Sequence, residues 1–293
     1  MNIGYFPGCS LTGTSKEYDM SLREVLAALD VHLDEIADWS CCGASSAHVT
    51  NHLLSVALPA RNLELAKEQG MAEVMAPCAA CYNRLVSAQH EIATRPELKS
   101  KVEYVLEQKI DGAVTVLNII ELFQRIGTDA IAAKKTLDLD GMTVACYYGC
   151  LLVRPAALLG FDDAEQPRSM EALIAATGAK TVDWNFKTEC CGAAHSIART
   201  DIVVDLSKKI LDDARAHGAD AVIVACPMCH SNLDMRQRKM KNAADGHADI
   251  PVLYLTELIG LALGIEHKKL GLDLHFINPG PLLARAARKE VAA

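Results

Sequence analysis

The chain has 293 residues, of which 51% are hydrophobic, 23% charged and 5% aromatic, and its 37 acidic and 29 basic residues give a formal net charge of -8. This length suits one large or two medium domains with ample cores, and the composition is neither that of a disordered chain nor that of a fibrous one. The acidic balance argues against nucleic acid or an anionic membrane surface as a partner, because both bind clustered Lys and Arg.

The ends of the sequence show no sign of export or membrane insertion. The first nine residues lack the basic and apolar regions of a secretory signal. The most apolar C-terminal stretch, 252–265, is interrupted by Glu257 and is shorter than the ~20 apolar residues that cross a bilayer. We therefore expect a cytoplasmic protein without a transmembrane segment, whose cysteines bind metal or do redox chemistry instead of forming structural disulfides.

The first half of the chain alternates predicted strands and helices. Thr14 with Glu17 forms a capping-box pattern ahead of apolar residues at helical spacing, which predicts the start of a helix. Gly70 is well placed to end a second helix, which contains Pro59. In chain order, the predicted elements are a strand at 3–6, a helix after Thr14, a shorter strand at 32–36, a helix at about 51–69 and a strand at 73–76.

The second half repeats this order, and the two halves meet near Gly141. Its predicted elements are a strand at 143–147, a helix at about 170–177, a shorter strand at 180–184 and a strand at 221–224, and the sequence at 116–122 is echoed at 252–258. Alternating strands and helices imply right-handed crossovers and parallel sheets. The expected fold is α/β, with two homologous Rossmann-like halves that have mainly parallel sheets and a pseudo-twofold relation, divided into domains 1–140 and 141–293.

The eleven cysteines carry the same duplication. Each half has a cysteine after glycine, then an adjacent Cys-Cys pair followed by glycine, then a C-x-x-C pair. The first interval is 31 residues in one half and 39 in the other, and the second interval is 35 and 34 residues. Matched spacing of this kind indicates an internal repeat. The two sets are Cys9, Cys41, Cys42, Cys78 and Cys81, and Cys150, Cys190, Cys191, Cys226 and Cys229.

The position and number of these cysteines point to a polynuclear metal site. Both sets follow predicted strands, and ligand sites of parallel sheets lie beyond the carboxyl ends of the strands. Neighbouring cysteines form strained disulfides, whereas two neighbouring thiolates can bind different irons of one cluster. A structural zinc site or a cubane cluster takes four ligands, but each half offers five. Counting therefore leaves open a free cysteine in each half or a cluster of another kind.

The complete pattern resembles the duplicated CCG cysteine-rich domain of the heterodisulfide reductase B subunit, over nearly the whole chain. The resemblance implies two noncubane 4Fe-4S clusters, each held by the five cysteines of one half, with zinc at one site as the alternative. It also implies a catalytic subunit that reductively cleaves, or forms, a disulfide such as the coenzyme M–coenzyme B heterodisulfide.

Partners follow from what the sequence lacks. It contains neither the C-x-x-C-x-x-C run of a ferredoxin nor a G-x-G-x-x-G dinucleotide fingerprint, so electrons must come from another protein. The resemblance implies that these partners are the ferredoxin-like C subunit and the flavoprotein A subunit of such a complex. Two rival functions remain. One is a metal-free thiol–disulfide oxidoreductase working through the C-x-x-C pairs, since the pair at Cys226 also resembles a thioredoxin redox turn. The other is a non-catalytic electron-transfer or zinc-stabilised assembly subunit.

Two histidines are secondary candidates for proton donation to a product thiolate. His48 follows the first Cys-Cys pair by six residues, and His195 follows the second by four. The competing interpretation is an ordinary exposed histidine. The eleventh cysteine, Cys146, takes the place of Tyr5 on a predicted buried strand and is expected to be a core side chain. The segment 267–293 is expected to be a polar tail or terminal helix with no catalytic element.

Overall fold

The computed structural model describes residues 1–240 and 249–287, and within them eight short strands form two four-stranded sheets. The strands are β1 (Asn2–Tyr5), β2 (His32–Glu35), β3 (Glu73–Met75), β4 (Thr115–Leu117), β5 (Thr143–Tyr147), β6 (Lys180–Thr181), β7 (Ala221–Val224) and β8 (Val252–Tyr254). Every pairing is parallel, and the orders β2-β1-β3-β4 and β6-β5-β7-β8 are equivalent. The predicted α/β fold with two homologous Rossmann-like halves is confirmed.

Helices connect the strands in both halves and cover the sheets. The helices of the first half are α1 (Gly8–Thr12), α2 (Lys16–Ala28), α3 (Ala47–Thr50), α4 (His52–Glu68), α5 (Ala79–Thr94), α6 (Pro96–Leu106), α7 (Ile119–Ile126) and α8 (Thr128–Lys134). Those after residue 140 are α9 (Ala156–Leu159), α10 (Ser169–Ala175), α11 (Thr200–Ala216), α12 (Pro227–Met235), α13 (Gln237–Met240), α14 (Leu255–Ala262) and α15 (Gly280–Ala287), with 3-10 turns at Ala193–His195 and Leu272–Leu274. No helix of the described ranges is long and apolar enough to cross a bilayer.

The predicted capping box at Thr14 is wrong. Helix α2 begins at Lys16, and Ser15 occupies its N-cap position without making a side-chain capping bond. The Glu17 side chain turns inward, where its Oε1 accepts a hydrogen bond of 3.3 Å from the Tyr254 hydroxyl. The Glu17 carboxylate therefore bonds to a buried partner from the other half of the chain, whereas the local sequence pattern predicted that it would cap the N-terminus of the helix.

The two halves share one hydrophobic core. Helix α14 of the second half packs on α2 of the first, and α7 of the first half packs on α10 of the second. This reciprocal packing is what a pseudo-twofold relation predicts. At the first of these contacts, the rings of Tyr18 and Tyr254 stack with centroids 4.0 Å apart and an interplanar angle of 5°. Beside the stack, the buried hydroxyls of Ser21 and Thr256 share a hydrogen bond of 2.7 Å.

Strand register explains why one cysteine stands outside the repeat. Tyr5 pairs with Met75, three residues before Cys78, and Cys146 pairs with Ile223, three residues before Cys226. Cys146 therefore occupies the position equivalent to Tyr5. It is fully buried in the core, as the sequence predicts.

The segment 267–293, expected to be a polar tail or a terminal helix, contains helix α15 and packs against both halves of the chain. Leu270, Leu272, Ile277 and Leu282 are buried, and the side chain of His275 is 0% exposed. Apolar burial at irregular spacing gave no helical or strand periodicity that would have revealed this packing. The remaining part of the predicted tail, 288–293, lies outside the described residues.

The hydrogen bond between Ser21 and Thr256 gives a test of the interface between the halves. Ser21→Ala and Thr256→Val should each lower the free energy of unfolding by about 1–3 kcal/mol, because each leaves a buried hydroxyl without its partner. The double variant should lose less than the sum. Urea denaturation of the four proteins measures the coupling, with the exposed Ser100, which bonds within its own helix, as the Ser100→Ala control. Additive losses would show that the two hydroxyls do not interact.

Candidate functional site

The C-x-x-C cysteines lie where strands end and helices begin. Cys78 and Cys226 are the N-cap residues of α5 and α12, and Cys81 and Cys229 lie in the first turns of these helices. The free N–H groups and the helix dipole at such a position stabilise a thiolate. The parallel topology thus places each C-x-x-C pair at a helix N-terminus, where backbone N–H groups are free to bond to sulfur.

The two CCG segments, 41–43 and 190–192, have the same local structure. In each, the first cysteine is exposed and the second is buried. The glycine N–H donates to the Sγ of the first cysteine, at 3.4 Å in one half and 3.3 Å in the other. Both glycines are left-handed, with φ of 76° and 80°, a conformation that costs glycine little. The glycine therefore aims an amide at a sulfur.

The buried cysteine of each CCG segment contacts the C-x-x-C pair of the same half. The Sγ atoms of Cys42 and Cys81 are 3.2 Å apart, and those of Cys191 and Cys229 are 3.6 Å apart. The Asn232 side chain also donates to the carbonyl oxygen of Cys191 at 3.3 Å. Cysteines far apart in sequence thus form one cluster of thiols in each half.

Two glycines make room for these sulfurs. Gly8 and Gly149, each directly before the first cysteine of its set, have φ of 66° and 69°. A Cβ at Gly8 would lie 3.0 Å from Cys81 Sγ, and one at Gly149 would lie 3.0 Å from Cys229 Sγ. Any side chain at these positions would crowd the sulfur, so the Gly-Cys sequence reflects space as well as backbone conformation.

Hydrogen bonding among the thiols separates their pKa values in the first half. The thiols of Cys41 and Cys81 lower the pKa of Cys42 to about 3, and the positive charge of Arg84 contributes in the same direction. The interaction with Cys42 raises the pKa of Cys41 and of Cys81, and burial raises both further. Hydrogen bonding among these thiols therefore favours the deprotonated form of Cys42.

The second half shows the same separation. The pKa of Cys190 is lowered to about 6. The thiol of Cys150 contributes most to this shift, and the backbone N–H groups that follow Cys190 and the charge of His195 contribute in the same direction. Hydrogen bonds with the thiols of Cys229 and Cys78 hold the pKa of Cys226 well below its usual range. Each half thus prepares sulfur ligands in the deprotonated state that metal binding requires.

The clusters of thiols in the two halves contact each other through Cys78 and Cys226. These residues belong to different halves, yet the Cys226 thiol is the largest cause of the raised pKa of Cys78. Tyr18 lies behind this contact, where its hydroxyl donates to the Pro77 carbonyl at 3.3 Å. Sequence spacing predicts one group per half, but the contact between them depends on how the halves pack and carries no signal in the sequence.

The donor set fits iron–sulfur ligation. Each half offers five sulfurs, and thiolates select zinc or iron–sulfur clusters over hard cations. All eleven cysteines are free thiols, so no disulfide competes for the sulfurs. The eleventh, Cys146, takes no part, because it lies on β5 beside Glu171 and burial raises its pKa. A site built from adjacent cysteines together with a C-x-x-C pair suits a cluster with more than one iron.

The two predicted histidines differ in their relation to the sulfurs. His195 is exposed in the 3-10 turn after the second CCG segment, and its charge lowers the pKa of Cys190. His48 is exposed on α3, and no contact within the described residues joins it to a cysteine. The structure therefore links one of the two histidines to the site.

A groove of the described surface lies away from the sulfurs. It has a volume of about 690 Å³ and runs along α5 past Val86, Gln89 and His90 to Glu121, and no cysteine lines it. This groove is therefore separate from the cysteines at the seam between the halves.

Comparison with known proteins relates both halves to one family. The family model described as a cysteine-rich domain, CCG, matches residues 3–86 and 144–234. The chain is 31% identical over 279 residues to a protein of Wolinella succinogenes named 8-methylmenaquinol:fumarate reductase membrane anchor subunit, covering 94% of this chain and 97% of the relative. It is 29% identical over 290 residues to the B subunit of the ferredoxin/F(420)H(2)-dependent CoB-CoM heterodisulfide reductase of Methanosarcina acetivorans, covering 97% and 96%.

A solved structure supports the fold. A hypothetical protein from Helicobacter pylori superimposes with a TM-score of 0.72 at 13% identity over 94% of this chain, which spans 51% of that protein. This likeness bears on architecture alone, whereas the family match includes both cysteine motifs, and the relatives' names describe subunits of redox complexes. The chain belongs to the CCG cysteine-rich domain family, together with the heterodisulfide reductase B subunit.

Proposed function

We propose that this chain is the catalytic subunit of a heterodisulfide-reductase-like complex. It reductively cleaves, or in the reverse direction forms, a disulfide at two noncubane 4Fe-4S clusters, and a heterodisulfide of the coenzyme M–coenzyme B type is the substrate class that the Methanosarcina relative's name indicates. The contact between Cys78 and Cys226 carries the proposal, because it joins the cysteine sets of the two halves at one seam. A metal-free dithiol enzyme needs one C-x-x-C pair and no such convergence.

The cysteines of each half form one donor set, and the domain division near residue 141 separates the two sets. Amide N–H groups of the CCG glycines donate to one sulfur of each set, and hydrogen bonds among the thiols lower the pKa of Cys42, Cys190 and Cys226. When bound, the clusters supply one-electron donors and iron sites that favour deprotonated sulfur. The first set is Cys9, Cys41, Cys42, Cys78 and Cys81, and the second is Cys150, Cys190, Cys191, Cys226 and Cys229.

Cleavage of the disulfide must balance electrons and protons. One disulfide takes up two electrons and two protons and gives two thiols, and two one-electron centres match this demand. In the proposed complex the electrons come from the ferredoxin-like C subunit, which receives them from the flavoprotein A subunit. His195 is the proton donor that the geometry favours, because it is exposed beside Cys190 and acts on that sulfur electrostatically.

The name of the Wolinella relative favours a second candidate, an electron-transfer subunit that accepts electrons from a quinol. The two candidates differ in how the clusters respond to substrate. A catalytic subunit should show a change in its electron paramagnetic resonance spectrum when a thiol or disulfide is added to the anaerobic chain. An electron-transfer subunit should show none, and its clusters should instead be reduced by quinol through its partners.

Loss of one cysteine should remove one cluster and leave the other. The anaerobically purified chain should contain about eight irons, and Cys41→Ala or Cys190→Ala should lower this to about four, because each residue belongs to one set. Iron and sulfide analysis measures the content. Cys146→Ala, which removes a cysteine outside both sets, should keep about eight irons. A colourless wild-type chain without iron would refute the proposal.

The same Cys41→Ala variant should distinguish cluster chemistry from metal-free exchange. Cys41 lies outside the C-x-x-C pairs, so exchange through those pairs would survive its loss, whereas the cluster model predicts that turnover falls to background. Disulfide reduction by a reduced viologen dye, assayed anaerobically, measures the rate. Turnover at the wild-type rate by this variant or by an iron-free chain would support the metal-free enzyme.

His195 should matter for turnover but not for cluster content. His195→Gln should lower kcat roughly a hundredfold through loss of general acid catalysis, with the iron content and KM unchanged. His48→Gln is the matched comparison, since His48 occupies a similar exposed position without a contact to a cysteine, and it should retain most of the wild-type kcat. Equal effects of the two substitutions, or none from either, would contradict the assignment of His195.

A further inference from the structure

A second group of ionisable side chains lies behind the cysteines, at the seam between the halves. Glu17 comes from α2 of the first half, His230 and Asp234 come from α12, and His275 comes from the segment after the last 3-10 turn. Their side chains are buried, with exposures of 11% for Glu17, 4% for His230 and 0% for His275. Asp234 is also fully buried. The proposed clusters account for none of these four residues.

In each of the two histidines, one ring nitrogen makes a hydrogen bond. Nε2 of His230 is 3.0 Å from the Val252 carbonyl oxygen, and Nε2 of His275 is 2.8 Å from a carboxylate oxygen of Glu257. Each acceptor requires that Nε2 carry the proton and leaves Nδ1 as the remaining nitrogen. A carbonyl or carboxylate that fixes a histidine in this way is the usual outer partner of a metal ligand.

The remaining nitrogen of His275 has no partner. Nδ1 of His275 is buried and makes no hydrogen bond within the described residues, although such isolation costs free energy. One nitrogen of each histidine and a carboxylate oxygen of Asp234 lie within 4.8 Å of one another. His230 Nδ1 is also 3.9 Å from Glu17 Oε1. Three donor atoms therefore lie close together, and the Glu17 carboxylate approaches one of them.

We propose that Glu17, His230, Asp234 and His275 form a mononuclear zinc site, distinct from the cysteine sites. The donors are two imidazole nitrogens and two carboxylate oxygens, a set that zinc accepts with tetrahedral geometry. Zinc bonds of 2.0–2.1 Å separate ligand atoms by roughly 3.3 Å, so zinc binding would draw together the three donor atoms that lie within 4.8 Å of one another and would bring in the Glu17 carboxylate. All four positions come from buried protein groups, which makes the site structural and closed.

The local charge also calls for a cation. Burial raises the pKa of the Glu17, Asp234 and Glu257 carboxyls, and the charge of His275 only partly offsets this effect. Burial therefore disfavours the charged carboxylate forms unless a cation lies beside them. A divalent ion among them would stabilise the carboxylates and would take the place of a proton on Nδ1 of His275.

In the first half, the positions equivalent to His230 and Asp234 hold no metal-binding side chains. Tyr82 follows Cys81 as His230 follows Cys229, and Val86 stands where the second half has Asp234. Tyr82 hydrogen-bonds with Glu121, the equivalent of Glu257. The duplicated scaffold therefore holds a phenol and an apolar side chain at the positions where the second half holds two donors.

Zinc analysis of the full chain, purified anaerobically with its partner subunits where they copurify, tests the proposal. After removal of loosely bound metal and titration with Zn²⁺, one zinc per chain should remain. Its X-ray absorption spectrum should show only nitrogen and oxygen neighbours near 2.0–2.1 Å, with imidazole scattering. A sulfur shell near 2.3 Å would mean that zinc occupies a cysteine site, and that result or the absence of retained zinc would overturn the proposal.

Substitutions assign the site to its residues. Asp234→Asn and His275→Gln should each lower retained zinc at least tenfold while the iron content stays that of the wild type. His217→Gln is the matched control, because His217 and Asp213 form a similar histidine–aspartate pair on the surface of α11, and it should keep its zinc. Since iron is measured in the same samples, loss of the clusters would be seen separately from loss of zinc. Full zinc retention in both variants would overturn the assignment, and the wild-type spectrum decides the case where a variant does not fold.

Discussion

The stack of Tyr18 on Tyr254 is the interaction on which the seam depends. The two rings come from different halves and lie nearly parallel, 4.0 Å apart, and the Tyr254 ring stacks in turn on His230 at 4.2 Å. The Tyr18 hydroxyl donates to the Pro77 carbonyl, so the residue directly before Cys78 is fixed from the same ring. His230 directly follows Cys229. One column of rings thus positions both C-x-x-C pairs, and the contact between Cys78 and Cys226 follows from it.

Burial of the sulfurs makes their charge a constraint on the whole seam. A thiolate in an apolar interior is costly unless hydrogen bonds or a metal stabilise it. Hydrogen bonds from neighbouring thiols, and then from backbone N–H groups after the second CCG pair and at the N-terminus of α12, lower the pKa of Cys190 and Cys226. They do not suffice for five sulfurs at once, because the thiols that donate to a thiolate have raised pKa values themselves. Full use of each donor set therefore requires positive charge from bound metal.

Much of the fold could be predicted from the sequence, because duplication supplied each signal twice. The strands at 143–147 and 221–224 have the predicted bounds, and matched spacing grouped the cysteines. Strands β4 and β8 have three residues each, too few for alternation to be detected, although the sequence echo covers both. The local pattern misassigned Glu17, and His275 carried no periodic signal. Both errors concern side chains whose partners lie in a distant segment, and contacts of that kind depend on how the two halves pack.

Divergence after duplication explains why the seam is asymmetric. Each half needed to keep the glycines, cysteines and helix N-termini that form its cluster of thiols. The contacts of these glycines and cysteines match between the two halves. The residue after the C-x-x-C pair was free to differ, because it faces away from the sulfurs and toward the end of the last strand. In the first half a phenol occupies that place and satisfies Glu121, so the region is complete within that half. In the second half His230 stacks on Tyr254 and approaches Glu17, so the corresponding region is completed only by the first half. The residue that makes these interface contacts is thus present in the second copy of the repeat and absent from the first. This asymmetry allows two similar halves to associate in a single orientation.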